Sequence, residues 1–307
     1  MTHLSIVVIS YNTRDMTIPC IVSALSEAVQ YGIQLIVLDN ASTDGSATEI
    51  RNRFPDLLFI ESPTNIGFAA ANNLAAKSAT GEYLLLLNPD TVVRDHAIDK
   101  LVAFADKHAD FGIFGGRTVF GDGSLNPKSC WREPSLWGLF CRAIYLDNLF
   151  PNSGFFNRDS YGGWKRDSVR EVDIVSGCFL LIRREVWEQL GGFAPDFFMY
   201  AEDFDLCMRA RRQGIRALIC PDAQIVHYGG ASEPVLQGKM IRLLETKAKL
   251  CRKHWSPLRA WFAERLLDLW VIIRMIGYGT LSLVRISARD KYDCWRGVWR
   301  ERSRWHF

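Results

Sequence analysis

The chain has 307 residues, 48% hydrophobic and 23% charged, which suits one large globular domain, or one domain with an appendage, around a substantial core. The net charge of +3 hides an asymmetry: residues 236–307 hold sixteen Lys/Arg against six Asp/Glu, a net +10, and the remainder is −7. Its eight cysteines, at 20, 130, 141, 178, 207, 220, 251 and 294, form no CxxC pair and no zinc-ligand spacing, so they read as buried thiols in a reducing compartment.

The first strand follows almost at once, as "LSIVVIS" (4–10). That leaves no room for a signal peptide, and the expected location is cytoplasmic. A helix is expected over 15–31, then a strand in "IQLIVLDN" (33–40). "STDGSATEIRNRF" carries capping residues and a short helix, and "LLFIES" (57–62) is a third strand. An Ala-rich helix spans 67–79, a fourth strand "YLLLLN" spans 83–88, and a helix spans 94–108. Strands alternating with helices at this spacing predict βαβ units and an α/β fold with a mainly parallel sheet. Near-continuous apolar strands fit a sheet covered on both faces.

Beyond residue 110 the rhythm weakens. Gly, Pro, Trp and Asn across 117–170 predict long loops. Residues 172–193 then read as strand material and a helix, and 201–214 as a helix stopped by Gly214. "IRALIC" and "AQIVHY" read as two short strands. From about 235 to 287 the pattern is helical, with Pro257 separating two helices. The expected organisation is a domain over 1–235, in halves 1–110 and 111–235, with a basic helical extension over 236–307.

Ligands of open parallel sheets bind beyond the carboxyl ends of the strands. Here those ends are polar: Ser10-Tyr11-Asn12, Asp39-Asn40, the turn Pro63-Thr64-Asn65-Ile66-Gly67, and Asn88-Pro89-Asp90. No GxGxxG follows the first strand and no GxxxxGK[ST] occurs, so dinucleotide and P-loop chemistry are disfavoured. A nucleotidyltransferase would want a Gly/Arg/Lys-rich phosphate loop, which "VVISYNTRDM" is not.

Six ordered segments carry a family resemblance: "VVISYN" (7–12), "VLDNASTDGS" (37–46), "NIGFAAANN" (65–73), "LLLNPDT" (85–91), "GGFAPDFFMYAEDFDLCMRARRQG" (191–214) and "IVHYGGAS" (225–232). Together they resemble the family-2 inverting glycosyltransferases of GT-A fold, the nucleotide-diphospho-sugar transferases. "NPDT" with "FFMYAEDFDLCMR" looks most like the rhamnosyltransferase-like branch that builds bacterial surface polysaccharides. The resemblance implies a nucleotide-sugar donor, with dTDP-rhamnose expected and a UDP-sugar as runner-up. It also implies a hydroxyl acceptor on a glycan or polyprenyl-linked glycan.

A departing diphosphate develops negative charge that Mg²⁺ or Mn²⁺ can neutralise. Asp90 matches the last residue of the family's Asp-x-Asp motif, and Asn88 stands where its first acidic residue would be. The resemblance offers His227 as a further metal ligand that would favour Mn²⁺; a hydrogen-bonded histidine at a sheet edge is an equal alternative. It places Asp39 on the nucleobase, where a carboxylate accepts from the N3–H of uracil or thymine. Ser10, Tyr11, Asn12, Asn65, Gly67 and Asn88 would line the nucleotide pocket; for Asn65 and Gly67 a plain loop-to-helix turn reads nearly as well. The acceptor hydroxyl needs a base. Glu202, Asp203 and Asp205 cluster at one helix start, and the resemblance assigns the base to Asp203 with Asp205 in reserve. One base without a covalent nucleophile implies inversion, unlike the carboxylate pair of glycoside hydrolysis. Arg183 and Arg184, after "SGCFLLI", could contact a diphosphate on the acceptor, but an ordinary solvated basic face is the favoured reading. A non-catalytic nucleotide-sugar-binding protein is the alternative, favoured by Asn88 and opposed by the Glu202-Asp203 pair.

The basic tail implies an anionic partner, and no motif in it points to nucleic acid. Residues 266–284 are the most apolar window, interrupted by Asp268 and Arg274, which would be costly inside a bilayer. The expectation is a segment lying on the membrane surface, tryptophans at headgroup depth and arginines on anionic lipid, on the inner face of the cell membrane. A helical pair packed on protein is the alternative.

Overall fold

The computed structural model describes residues 3–229 and 236–306. In chain order its elements are β1 (Leu4–Ser10), α1 (Arg14–Glu27), β2 (Ile33–Asp39), α2 (Ser46–Arg53), β3 (Leu58–Glu61), α3 (Phe68–Ala76), β4 (Tyr83–Leu87), β5 (Thr91–Val93), α4 (Ala97–Lys107), β6 (Ile113–Val119) and β7 (Cys130–Trp131). There follow α5 (Leu136–Ala143), α6 (Leu146–Leu149), β8 (Arg170–Val172), β9 (Ile174–Val175), β10 (Phe179–Arg183), α7 (Arg184–Leu190), α8 (Glu202–Arg212), β11 (Ala217–His227), α9 (Leu236–His254), α10 (Pro257–Ser282) and α11 (Arg289–Arg300). They form two compact units, one of residues 1–131 and 165–232, the other of 132–164 and 233–307.

The first unit is built on one sheet in the order β3-β2-β1-β4-β10-β6-β11-β5, with β8 also paired to β11. From β3 to β4 all pairs are parallel, as the βαβ rhythm requires. Every residue of β1 and β4 is buried, so both faces are covered, whereas β3 is exposed as an edge strand. Beyond β4 the sheet is mixed: β10 runs antiparallel to both its neighbours, β4 and β6. Parallel pairing returns between β6 and β11, so the expected α/β sheet is parallel from β3 to β4 and mixed beyond.

β6 lies inside the sheet, although its Gly115-Gly116 pair breaks the apolar run that announces a strand. A Cβ on Gly116 would lie 2.2 Å from the Ala223 carbonyl oxygen, so the glycine serves close backbone approach. The two short strands expected at 215–228 are one strand, β11. A register shift between Cys220 and Gln224 absorbs Pro221, which cannot donate to the ladder. The long loops expected over 117–170 are likewise corrected, since β7, α5 and α6 lie there.

The second unit is a helical core. Trp255, Trp270, Trp295 and Trp305 are buried in it with Leu244, Leu267 and Val271. α10 buries Ala263, Leu267, Trp270 and Val271 in this core, and Glu264, Asp268 and Arg274 are buried along with them. Arg274 donates to the carbonyls of Ala143 and Arg142, both at 3.0 Å, and lies over the Tyr145 and Trp270 rings. Asp268 accepts from Trp305 Nε1 at 3.2 Å and pairs with His306 at 2.7 Å. The placing of the tail's tryptophans at headgroup depth is thereby corrected for these four, which fill a protein core. Among the described residues no helix is long and apolar enough to cross a membrane. All eight cysteines are free thiols and seven are buried.

Candidate active site

The carboxyl end of the sheet gathers the polar residues. Ser10 and Asp39 sit opposite each other at the ends of β1 and β2. Asp39 is 3% exposed; its Oδ1 accepts from the Ser42 N–H at 2.9 Å, and its Oδ2 is buried with no hydrogen-bond partner. A buried carboxylate oxygen without a donor is costly, and a ligand N–H aimed at it removes that cost. Asn12, at φ +51°, accepts from the Thr43 N–H at 2.7 Å through Oδ1, tying the turn after β1 to the turn after β2. Tyr11 is half-buried beside it. Ser10 is fully buried and its hydroxyl meets Thr17 Oγ1 at 3.3 Å, so its side chain braces α1. Asp44 joins the same turns, accepting from Arg14 N and Ser46 N at the starts of α1 and α2.

Asn65 Oδ1 accepts from the Asn40 side chain at 3.0 Å and from the Gly67 N–H at 2.9 Å. Gly67 has φ +84°, and a Cβ there would lie 2.6 Å from the Phe198 carbonyl oxygen and ring. The close approach that Gly67 permits is therefore to the 197–201 segment, and the Phe68 N–H donates to Phe198 O at 2.7 Å.

Beyond β4, Asn88 donates its N–H to the Cys178 carbonyl at 3.1 Å, and its buried Oδ1 has no partner. Thr91 Oγ1 donates to the Asn88 carbonyl at 2.7 Å and closes the Asn-Pro-Asp turn. His227 reaches this turn because β5 and β11 pair with Thr91 opposite His227, and the Tyr228 N–H donates to Asp90 O at 3.1 Å. His227 Nε2 then lies 3.3 Å from Asp90 Oδ1, both side chains nearly buried. Burial opposes the imidazolium, but the neighbouring Cys178 sulfur and the Asp90 carboxylate outweigh it and raise His227 to about 10.

A divalent cation fits part of this edge. Asp90 supplies a carboxylate, and the orphaned Asn88 Oδ1 is a second hard oxygen. His227 holds a proton against Asp90 and can ligate only on losing it. Among the described residues no cluster of three or more His, Cys, Asp or Glu is arranged to hold a metal, so the remaining ligands at this edge would be substrate phosphates and water.

Asp203, in the first turn of α8, accepts from the Gly177 N–H at 3.0 Å and the Phe204 N–H at 2.9 Å. The turn Ser176-Gly177-Cys178 thus touches Asp203 through Gly177 and Asn88 through Cys178, joining the two ends of the site. Sequence reasoning passed over this turn; its signal was the Ser-Gly-Cys break ahead of an apolar strand. Tyr200 and Ala201 both have positive φ just before α8, strain that aims the Glu202-Asp203 pair. Asp205 is fully buried in an ion pair with Arg209 at 2.7 Å, which removes it from reserve as the base. Glu202 is buried with Oε2 unpartnered; desolvation, then the charge of Asp203, raises it to about 8. It is therefore a neutral acid at pH 7. Arg183 and Arg184 lie at the amino end of β4, on the far edge of the sheet. Arg183 donates to Phe111 O and Arg184 to Gly81 O. The 230–232 end of the "IVHYGGAS" motif lies outside the described residues.

Residues 5–191 match Glycosyl transferase family 2, and residues 153–282 match Glycosyl transferase family group 2. The chain is 28% identical over 218 residues to the N-acetylglucosaminyl-diphospho-decaprenol L-rhamnosyltransferase of Mycobacterium tuberculosis, covering 67% of this chain and 70% of that protein. It is 26% identical over 288 residues to the low-salt glycan biosynthesis hexosyltransferase Agl10 of Haloferax volcanii, covering 90% and 85%. Its fold is similar to the mannosyltransferase PcManGT of Pyrobaculum calidifontis, solved with GDP-Man and Mn²⁺. The TM-score is 0.59 at 19% identity, over 98% of this chain and 86% of that one. A mixed sheet flanked by helices, this GT-A likeness and a family match over well over half the sequence agree: the chain belongs to glycosyl transferase family 2.

Proposed function

We propose that the protein transfers L-rhamnose from dTDP-rhamnose, with inversion, to a hydroxyl of a glycan or polyprenyl-linked glycan during cell-surface polysaccharide synthesis. The observation that carries this reading is two orphaned buried oxygens, on Asp39 and Asn88, at one sheet edge to which the Gly177-Cys178 turn ties the carboxylate of Asp203. The rhamnosyltransferase named above supports the choice of sugar. The nucleotide is assigned to residues 1–110 and the acceptor to 111–235, with 236–307 as the extension.

Asp39 Oδ2 accepts the N3–H of the base, and Ser10, Tyr11, Asn12, Asn65 and Gly67 shape the turns around the nucleoside. Asp90 and Asn88 would hold Mg²⁺ or Mn²⁺ with the donor diphosphate, and His227 would be a further ligand once deprotonated; PcManGT, of similar fold, was solved with Mn²⁺. When bound, the cation neutralises the charge that develops on the leaving diphosphate. Asp203 takes the proton of the acceptor hydroxyl as it attacks the anomeric carbon, and the single base makes the displacement inverting. The basic extension keeps the enzyme on an anionic membrane surface, where a polyprenyl-linked acceptor would be presented.

Asp39 accepts equally from thymine and uracil, which keeps a UDP-sugar as the second donor. The test is a panel of dTDP- and UDP-sugars with and without Mn²⁺, scoring binding and turnover for the wild type and Asp203→Asn. The proposal expects Asp203→Asn to bind donor normally and to lose turnover by about 10²-fold or more. Wild-type turnover in that variant removes Asp203 as base; binding without turnover of any donor by the wild type favours a non-catalytic binding protein.

A further inference from the structure

We infer that the corner between α10 and α11 is a membrane-inserting tip that seats on an anionic bilayer; this deepens the membrane-surface reading above and rests on it. Leu283, Val284 and Ile286 are 85%, 80% and 82% exposed, among the most exposed large apolar side chains described. They are not on a frayed end. The Val284 and Arg285 N–H groups both donate to Leu281 O, the Ala288 N–H donates to Arg285 O, and Ala288 is buried as an anchor. A hydrogen-bonded corner thus holds three apolar side chains in water at a standing cost in hydration free energy.

The charge pattern selects the occupant. Arg285 interrupts the apolar run and Arg289 follows it; residues 285–300 carry five Arg/Lys against two Asp. A second copy of the chain meeting this surface face to face would set Arg285 and Arg289 against their own counterparts and oppose like charges. An anionic bilayer meets both demands: acyl chains take the three aliphatic side chains, and headgroup phosphates take the guanidinium groups.

The test is flotation of the full-length chain with phosphatidylcholine vesicles with and without phosphatidylglycerol, alongside light scattering. It compares wild type, Leu283→Ser/Val284→Ser/Ile286→Ser and Arg285→Gln/Arg289→Gln. Wild type is expected to float with the anionic vesicles, the triple variant to lose about tenfold or more in partitioning, and the arginine pair to lose its preference for anionic lipid. Far-ultraviolet circular dichroism checks that each variant stays folded, and the arginine pair, wholly on the surface, keeps the test alive if the triple variant does not. Wild-type flotation by both variants overturns the tip and leaves the membrane reading standing. Failure of the wild type to float overturns both. A dimer that the triple variant converts to monomer assigns the corner to a second copy and overturns the lipid assignment.

Discussion

Glu202 gives a prediction whose magnitude follows from its surroundings. Its carboxyl is buried, its Oε2 has no partner, and burial together with Asp203 raises it to about 8. In the unfolded chain a glutamate titrates near 4.3. Between those two values the folded protein therefore holds one proton more than the unfolded chain. Stability is greatest below the unfolded value and falls as pH rises toward the folded one, by about 1.4 kcal/mol per pH unit for this one group. Glu202→Gln removes the titration. The amide adds its own constant offset, because its NH₂ also needs a partner. That offset does not vary with pH, so the slope is diagnostic. Urea denaturation at several pH values from about 5 to 7 should show the variant gaining on the wild type by about 3 kcal/mol across that range. Stability curves that stay parallel would refute the neutral-acid assignment.

Three other outcomes follow from the geometry. Asp90→Asn keeps the turn but removes its charge; turnover should fall by about 10²-fold and the metal concentration for half-maximal rate should rise, read by titrating Mn²⁺. Gly67→Ala forces a Cβ toward Phe198 at a positive φ and should lower stability by about 2–4 kcal/mol, seen as a fall in Tm. Arg274→Leu leaves the Ala143 and Arg142 carbonyls without their donor in the helical core. It should cost about 2–4 kcal/mol in denaturant unfolding, and an unchanged midpoint would show that the core does not need the guanidinium.

The amino-terminal half of the fold was legible because its signals are local. β1, β2 and β4 are short apolar runs ended by polar residues, and their periodicity and punctuation belong to one segment each. The same ends named Asp39, Asn88 and Asp90 as a polar edge. β6 was hidden because glycines replaced its apolar signal where Ala223 packs against it. The tail's tryptophans misled because one apolar composition serves a helical core and a membrane interface alike; only packing separates them.

By itself, then, the sequence determined the βαβ start, the chemical character of the strand ends and the family. The tertiary structure decided who meets whom. It set His227 against Asp90 through the antiparallel pairing of β5 and β11, residues 137 positions apart in the chain. It joined Asp203 to the Asn88 edge through the Ser176-Gly177-Cys178 turn, tied Asp205 to Arg209, and left Glu202 neutral by burial. Local propensity is written residue by residue, whereas long-range register, desolvation and the partner of a buried charge exist only once the sheet has closed around them.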